Sequence, residues 1–394
     1  MAPKTPFVPH TIDSWKRTAR QLNIQDLSIH DDIPCNSGSQ IGDAQFLLLR
    51  VLWTAGSLSI ALLSDNGGHR RQWIAEQYLE AARFFLKSPR IAAPLENYFL
   101  STSKKPRALR EEGYAGLETF SLVRHHQIQS SWMESSARDC ITKNHRPTTP
   151  TPIRSKEVEP FEDMIGGLDI NHNSDTCETP SDVDSPQFAP ITPIEYQYAF
   201  SSPLPGELAD QFKAIQDEQI VNTALILYLD ALVIQCTSLQ ADWTLHRRAF
   251  VAVDKDKNKT YEARVDGYLR RRKDGQPLVI IEVKPYMRYK KRADIRMQES
   301  AQMAAWISQH PPRRFQKTSG AEGTSRQVLS NRHQIYLTFA QFDAAYVDYI
   351  QHRATGSSFL NMNEYGPFDV GNGIAMRSLA ELVLAFALQA CDEM

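Results

Sequence analysis

The sequence predicts an α/β protein, a mixed central sheet flanked by helices and preceded by a mainly helical amino-terminal region. Three observations carry this expectation. After residue 205, candidate elements run helix, three strands, helix, strand, helix. One of those strands, Leu278 to Pro285, opens with four apolar residues in a row, as a strand buried on both faces does. Before residue 145, Trp73, Ile74, Gln77, Tyr78, Ala81, Ala82 and Phe85 recur at three-four spacing, which lines one face of a helix. The composition agrees: 42% hydrophobic and 23% charged residues exclude wholesale disorder, collagen-like repeats and a multi-span membrane protein. At 394 residues the chain exceeds the roughly 250 to 300 at which a single core stops growing, so two folded parts are expected. The net charge of −2 supplies no global field that would identify a partner.

Taken in order, the amino end, Met1 to Pro9, lacks the apolar segment of a secretory signal. The five cysteines are far apart, with no CxxC pair and no zinc-ligand spacing, which suits free thiols in a reducing compartment. The expected location is therefore intracellular, nuclear or cytoplasmic. Helices are expected at Ala44 to Leu63, His69 to Leu86 and Ala115 to Thr142. The run Phe46 to Leu63 is the most membrane-like stretch, but Arg50, Gly56 and two serines make it a buried core helix rather than a span. Residues 1–144 thus form the helical amino-terminal region, a surface for a protein partner being its expected use.

Residues 145–205 hold ten of the chain's 22 prolines, a density that blocks helix interiors and central strands. Within them, Ser155 to Phe200 carries one basic residue against ten acidic ones, a local balance of −9. This reads as an acidic, disordered linker. Residues 206–394 form the α/β part: a helix at Leu208 to Cys236, strands at Trp243 to Val253, Lys259 to Arg270 and Pro277 to Pro285, a helix at Ala293 to Ser308, a strand at Gln334 to Phe339 and a closing helix at Met376 to Asp392.

The strand Leu278 to Pro285 ends in Glu282 and Lys284, two residues apart and so on one face of the strand. The preceding strand offers Asp266, just before Gly267, and adjacent antiparallel strands would set it beside Glu282. Two carboxylates brought that close repel each other unless a cation intervenes, and hard oxygen ligands suit Mg²⁺ or Mn²⁺. Lys284 would then face water and phosphate, where its charge assists hydrolysis.

This pattern, Asp266 followed after fifteen residues by Glu282-Val283-Lys284 within a helix-strand-strand-strand-helix-strand frame, resembles the PD-(D/E)XK nuclease superfamily and most of all a fungal branch of nuclease-like domains. The resemblance covers about Glu207 to Phe342. It implies a restriction-endonuclease-like core, with Asp266 and Glu282 as metal-binding acids and Lys284 as the catalytic lysine; Val265 replaces the name-giving proline. It also implies a third acid on the first core helix, matched by Glu218, and a glutamine on the helix after the lysine strand, matched by Gln298 and Gln302 at a spacing of four. From His246 to Lys317, nineteen basic residues stand against eight acidic ones, a balance of +11 suited to phosphate. Arg271, Arg272, Arg288, Lys290, Lys291 and Gln302 are the expected nucleic-acid contacts. The activity so implied is Mg²⁺-dependent hydrolysis of phosphodiester bonds, DNA before RNA. Two other readings stay open: a nuclease fold that binds nucleic acid without cutting, and a protein-interaction scaffold.

Overall fold

The computed structural model describes residues 8–31, 35–54, 73–104, 108–109, 113–130, 206–253, 258–311, 322–331, 333–353 and 358–393. The expected linker lies outside these residues. The chain divides into two compact units, Met1–Ala137 with Gln211–Met394, and Arg138–Asp210. The first unit carries the sheet and both cores.

Its elements begin with α1 (Ile12–Gln21), opened by a capping box between Thr11 and Ser14 that satisfies backbone donors at the helix start. A short α2 (Asp43–Leu48) gives way to strand β1 (Val51–Trp53). Helices α3 (Glu76–Leu86) and α4 (Ala92–Thr102) follow, then a helical stretch over residues 120–130. After α5 (Gly206–Val233) come β2 (Ala241–Thr244), β3 (Arg248–Val253), β4 (Lys259–Val265), β5 (Gly267–Arg271) and β6 (Pro277–Lys284). The chain closes with α6 (Arg292–Gln309), β7 (Glu322–Asn331), β8 (Gln334–Asp343), α7 (Ala344–Ile350), β9 (Leu360–Asp369) and α8 (Gly373–Asp392).

Among the described residues, seven strands form one mixed sheet in the order β1-β9-β8-β7-β6-β5-β2, while β3 and β4 pair as a separate hairpin. The β1/β9 and β6/β7 pairs are parallel and the others antiparallel. Apolar side chains alternate between two cores, one on each face of the sheet. Val279, Ile281 and Val283 of β6 pack with α3, α4, α5 and α8, whereas Ile280 packs with α1, α2, α6, α7 and the β3/β4 hairpin. Period-two alternation therefore sends Glu282 and Lys284 toward the α6 face. Helix α8 has the length and hydropathy of a membrane crossing, yet 61% of that stretch is buried inside the fold.

Several expectations are corrected. The amino-terminal region is not a separate folded part: β1 adds a parallel strand to β9, and Trp73, Leu79 and Phe120 share a core with α5 and α8. Ala44 to Leu63 is not one helix. It stops at Leu48, Arg50 takes a left-handed φ of 51°, and Val51 starts a strand; the run from residue 55 onward lies outside the described residues. The expected strand Lys259 to Arg270 is broken at Asp266, and Trp243 to Val253 is broken between Thr244 and Arg248. Strands β7 and β9 and helices α1, α4 and α7 were not anticipated. The α/β class, with helices covering a mixed sheet, is as expected.

Candidate active site

The site forms where three elements meet. Strand β6 brings Glu282 and Lys284, the break between β4 and β5 brings Asp266, and α5 brings Glu218. Asp266 is fixed by its backbone: its N–H donates to Ile281 O at 2.9 Å, and its carboxylate Oδ2 accepts from Val283 N–H at 3.0 Å. Asn222, one turn beyond Glu218, donates to Asp266 O at 3.2 Å and ties α5 to the break. Gly267 permits this geometry, because a Cβ there would lie 2.6 Å from Thr244 O on the neighbouring strand.

Glu282 is buried at the end of β6, and both its oxygens are engaged. Oε1 accepts from Lys284 Nζ and, at 2.7 Å, from Gln298 Nε2. Oε2 accepts from Gln302 Nε2, which also reaches Arg264 O at 2.6 Å. The two glutamines share one face of α6, as their spacing requires. Arg247, in the loop between β2 and β3, bridges the remaining acids: Nε lies 3.4 Å from Asp266 Oδ1 and Nη2 3.6 Å from Glu218 Oε1.

The electrostatics follow from burial and charge count. Burial pushes the Glu282 carboxyl up to about 8; Lys284 pulls it down, while Asp266 pushes it further up. Burial also raises Glu218, against the pull of Lys284. For Lys284, burial opposes the charge, but Glu282, Asp266 and Glu218 outweigh it and hold the ammonium above the usual lysine range. Three acids thus face two cationic groups, Lys284 and Arg247, and the proton that burial keeps on Glu282 near neutral pH holds this partly enclosed place close to charge balance.

Glu218, Asp266, Glu282, Lys284, Gln298 and Gln302 are therefore brought together. The six expected nucleic-acid contacts fare differently. Arg288 is buried in ion pairs with Glu299 and Glu364 and cannot reach a ligand from there. Gln302 is fully buried and serves Glu282 instead. Arg271 and Arg272 lie at the β5/β6 turn, roughly 20 Å along β6 from Glu282. They are occupied by Asp274 and Asp242, the latter at 2.8 Å. Lys290 and Lys291 are exposed just beyond β6, beside the exposed Tyr289, and Lys291 Nζ lies 5.1 Å from the Tyr286 ring centre. Arg247 was missed as a site residue, since a lone arginine in a basic stretch carries no positional signal.

Among the described residues, no group of three or more His, Cys, Asp or Glu side chains is arranged to hold a metal ion. The chemistry of the donor set nevertheless fits a hard cation, which would replace the proton on Glu282: Glu218, Asp266 and Glu282 offer hard carboxylate oxygens. Comparison with protein-family models, curated proteins and solved structures finds no match.

Proposed function

We propose that this chain is a metal-dependent nuclease hydrolysing phosphodiester bonds, with DNA as the expected substrate and a restriction-endonuclease-like core as its scaffold. The observation that carries the reading is the convergence of three acids on one buried lysine, at the end of a central strand, with both oxygens of Glu282 fixed by side chains from β6 and α6. Asp266 and Glu282, with Glu218, would hold Mg²⁺ or Mn²⁺, which when bound supplies Lewis-acid polarisation of the phosphoryl oxygen and a more acidic water.

The chain's own residues account for the rest. Because its neighbours keep Lys284 in the ammonium form, it contributes charge stabilisation and a hydrogen bond to water or a phosphoryl oxygen, not proton abstraction. Gln298 and Gln302 hold the Glu282 carboxylate in one orientation. Lys290 and Lys291, with the half-exposed Arg247 and the exposed Arg264, grip the phosphate backbone without reading sequence.

The non-cleaving reading keeps one observation on its side, since Arg247 already sits between Asp266 and Glu218, where a metal ion would otherwise lie. A nuclease assay separates the two. Purified protein is incubated with single- and double-stranded DNA and RNA with Mg²⁺, Mn²⁺ or EDTA, beside Glu282→Gln and Lys284→Ala. Metal-dependent cleavage that both substitutions abolish is the expected result. Binding of nucleic acid with no cleavage in either metal would establish the non-cleaving module.

A further inference from the structure

At the opposite end of the sheet from Glu282, a cavity of about 500 Å³ opens between α1, the loop that follows it, and the start of β1 and β9. Strands β1, β9, β7 and β6 run in the same direction, so Arg50 and Phe359, which precede β1 and β9, lie at the end from which β6 starts. The cavity shares no residue with the candidate active site.

Among the described residues, its walls combine three cations with aromatic surface, Lys16, Arg20 and Arg50 beside Trp15 and Phe359, with Asp26 as the one acid. The aromatic pair is held edge to face at 5.2 Å, and Trp15 Nε1 donates to Leu47 O at 2.7 Å, which fixes the indole. Arg20 Nε is satisfied by Gln25 Oε1 at 3.1 Å.

Arg50 is the unusual member. Its guanidinium carbon lies 4.0 Å from the centre of the Tyr349 ring and 6.0 Å from that of Trp15, so the planar group is stacked in place. Its Nε and Nη1 are shielded from solvent and bond nothing, and no described carboxylate pairs with it. A guanidinium held this way without an anion is costly unless an anion arrives. The backbone adds a second cost, since Arg50 takes the left-handed φ of 51° that a bulky residue rarely adopts.

We infer that this cavity binds a phosphate monoester carried on a flat, apolar body, the chemical class of a nucleoside monophosphate. Three cations against one acid leave a balance of +2, which matches the charge of about −1.5 to −2 on a phosphate monoester near neutral pH and exceeds that of a monocarboxylate. The positive charge of Arg50, joined by Lys16 and Arg20, suits phosphate oxygens, and the Trp15/Phe359 wall suits a planar ring. Small-molecule sites commonly fall at about 300 to 1,000 Å³, with a mostly apolar lining and a few placed polar groups.

The test is direct binding to the full chain, independent of any cleavage. Adenosine monophosphate, inorganic phosphate and adenosine are titrated into metal-free protein by calorimetry, with tryptophan fluorescence as a second readout. Saturable binding of the monophosphate is expected, weakened about tenfold or more for phosphate alone or adenosine alone, each of which forfeits one half of the recognition. Arg50→Gln should weaken the monophosphate by a similar factor. Should that variant not fold, the surface double variant Lys16→Gln/Arg20→Gln serves in its place. Equal affinity of wild type and the double variant, or no saturable binding of the monophosphate up to millimolar concentration, overturns the inference.

Discussion

Helix α6 carries two buried charge clusters on one scaffold, and they are built on opposite plans. Near its start, Arg288, Arg292 and Arg296 surround Glu299 and Glu364, with Arg288 bidentate to Glu299 at 2.6 and 2.7 Å. Trp53 packs against the guanidinium carbons of Arg288 and Arg296 at 5.8 and 4.8 Å from its ring centre. Along the same turns but on another face, Gln298 and Gln302 reach a cluster in which acids outnumber bases and the bridging Arg247 is half exposed. The first cluster is closed and joins β9, β1 and α6. The second is open on one side, and its acids outnumber its bases three to two, whereas in the first the bases outnumber the acids by the same count. A buried ion pair alone does not mark function.

The largest expected effect tests the closed cluster. Glu364→Ala leaves buried guanidinium groups without their anion and should cost about 3–5 kcal/mol of stability, read by denaturant unfolding. A loss under about 1 kcal/mol would mean that the cluster is not what holds β9 to α6.

The open cluster should behave in the reverse way. Asp266→Asn keeps a carbonyl for the Val283 N–H, and so should change stability by less than about 1 kcal/mol while lowering cleavage at least about a hundredfold. If Asp266→Asn unfolds the protein as readily as Glu364→Ala, the contrast between site and scaffold fails.

A smaller effect concerns the surface beside the open cluster. Lys290→Glu with Lys291→Glu should flatten the salt dependence of duplex binding by about 0.9 in log-log slope for each phosphate that is no longer neutralised. The same reversal at Arg271 and Arg272, already paired with Asp274 and Asp242, should leave the slope nearly unchanged. Equal effects from both pairs would restore the broad basic face expected from the sequence.

The smallest expected effect lies at the far end of the same helix. Burial and then Arg248 push His310 down to about 4, and its Nε2 faces Arg248 Nη2 at 3.2 Å. Between about pH 4 and 6.5 the unfolded chain binds more protons at this residue than the folded one, so stability should fall as pH drops through that window. His310→Gln should remove on the order of 1–2 kcal/mol of that fall, measured by unfolding at about pH 7 and pH 4.5. Parallel pH profiles of the two proteins would place the acid sensitivity elsewhere.

The contrast also shows what a sequence discloses. Asp266, Glu282 and Lys284 were legible because a charged pair ending an apolar strand violates the strand's own pattern. The α6 glutamines were legible because four-residue spacing fixes their common face. Arg288 was misread for the opposite reason: its partners are a glutamate eleven residues on and another on β9, a strand whose Pro367 and mixed composition hide it. Strand β7 was illegible because it is mostly polar, and its place is set by pairing with β6 and β8 rather than by its own residues. Arg50 hinted at its unusual setting only by interrupting an apolar run.

The pairing of Val51 with Leu360 also constrains how the molecule is made. On a ribosome, the segment carrying β1 must wait for a partner strand that arrives roughly 300 residues later, so closing this edge of the sheet is a high-contact-order step. Until then the apolar β1 stretch is open to aggregation and to chaperones. Expressed alone, the carboxyl-terminal half would keep Glu282 and Lys284 yet bare the outer edge of β9, inviting edge-to-edge association of the fragment.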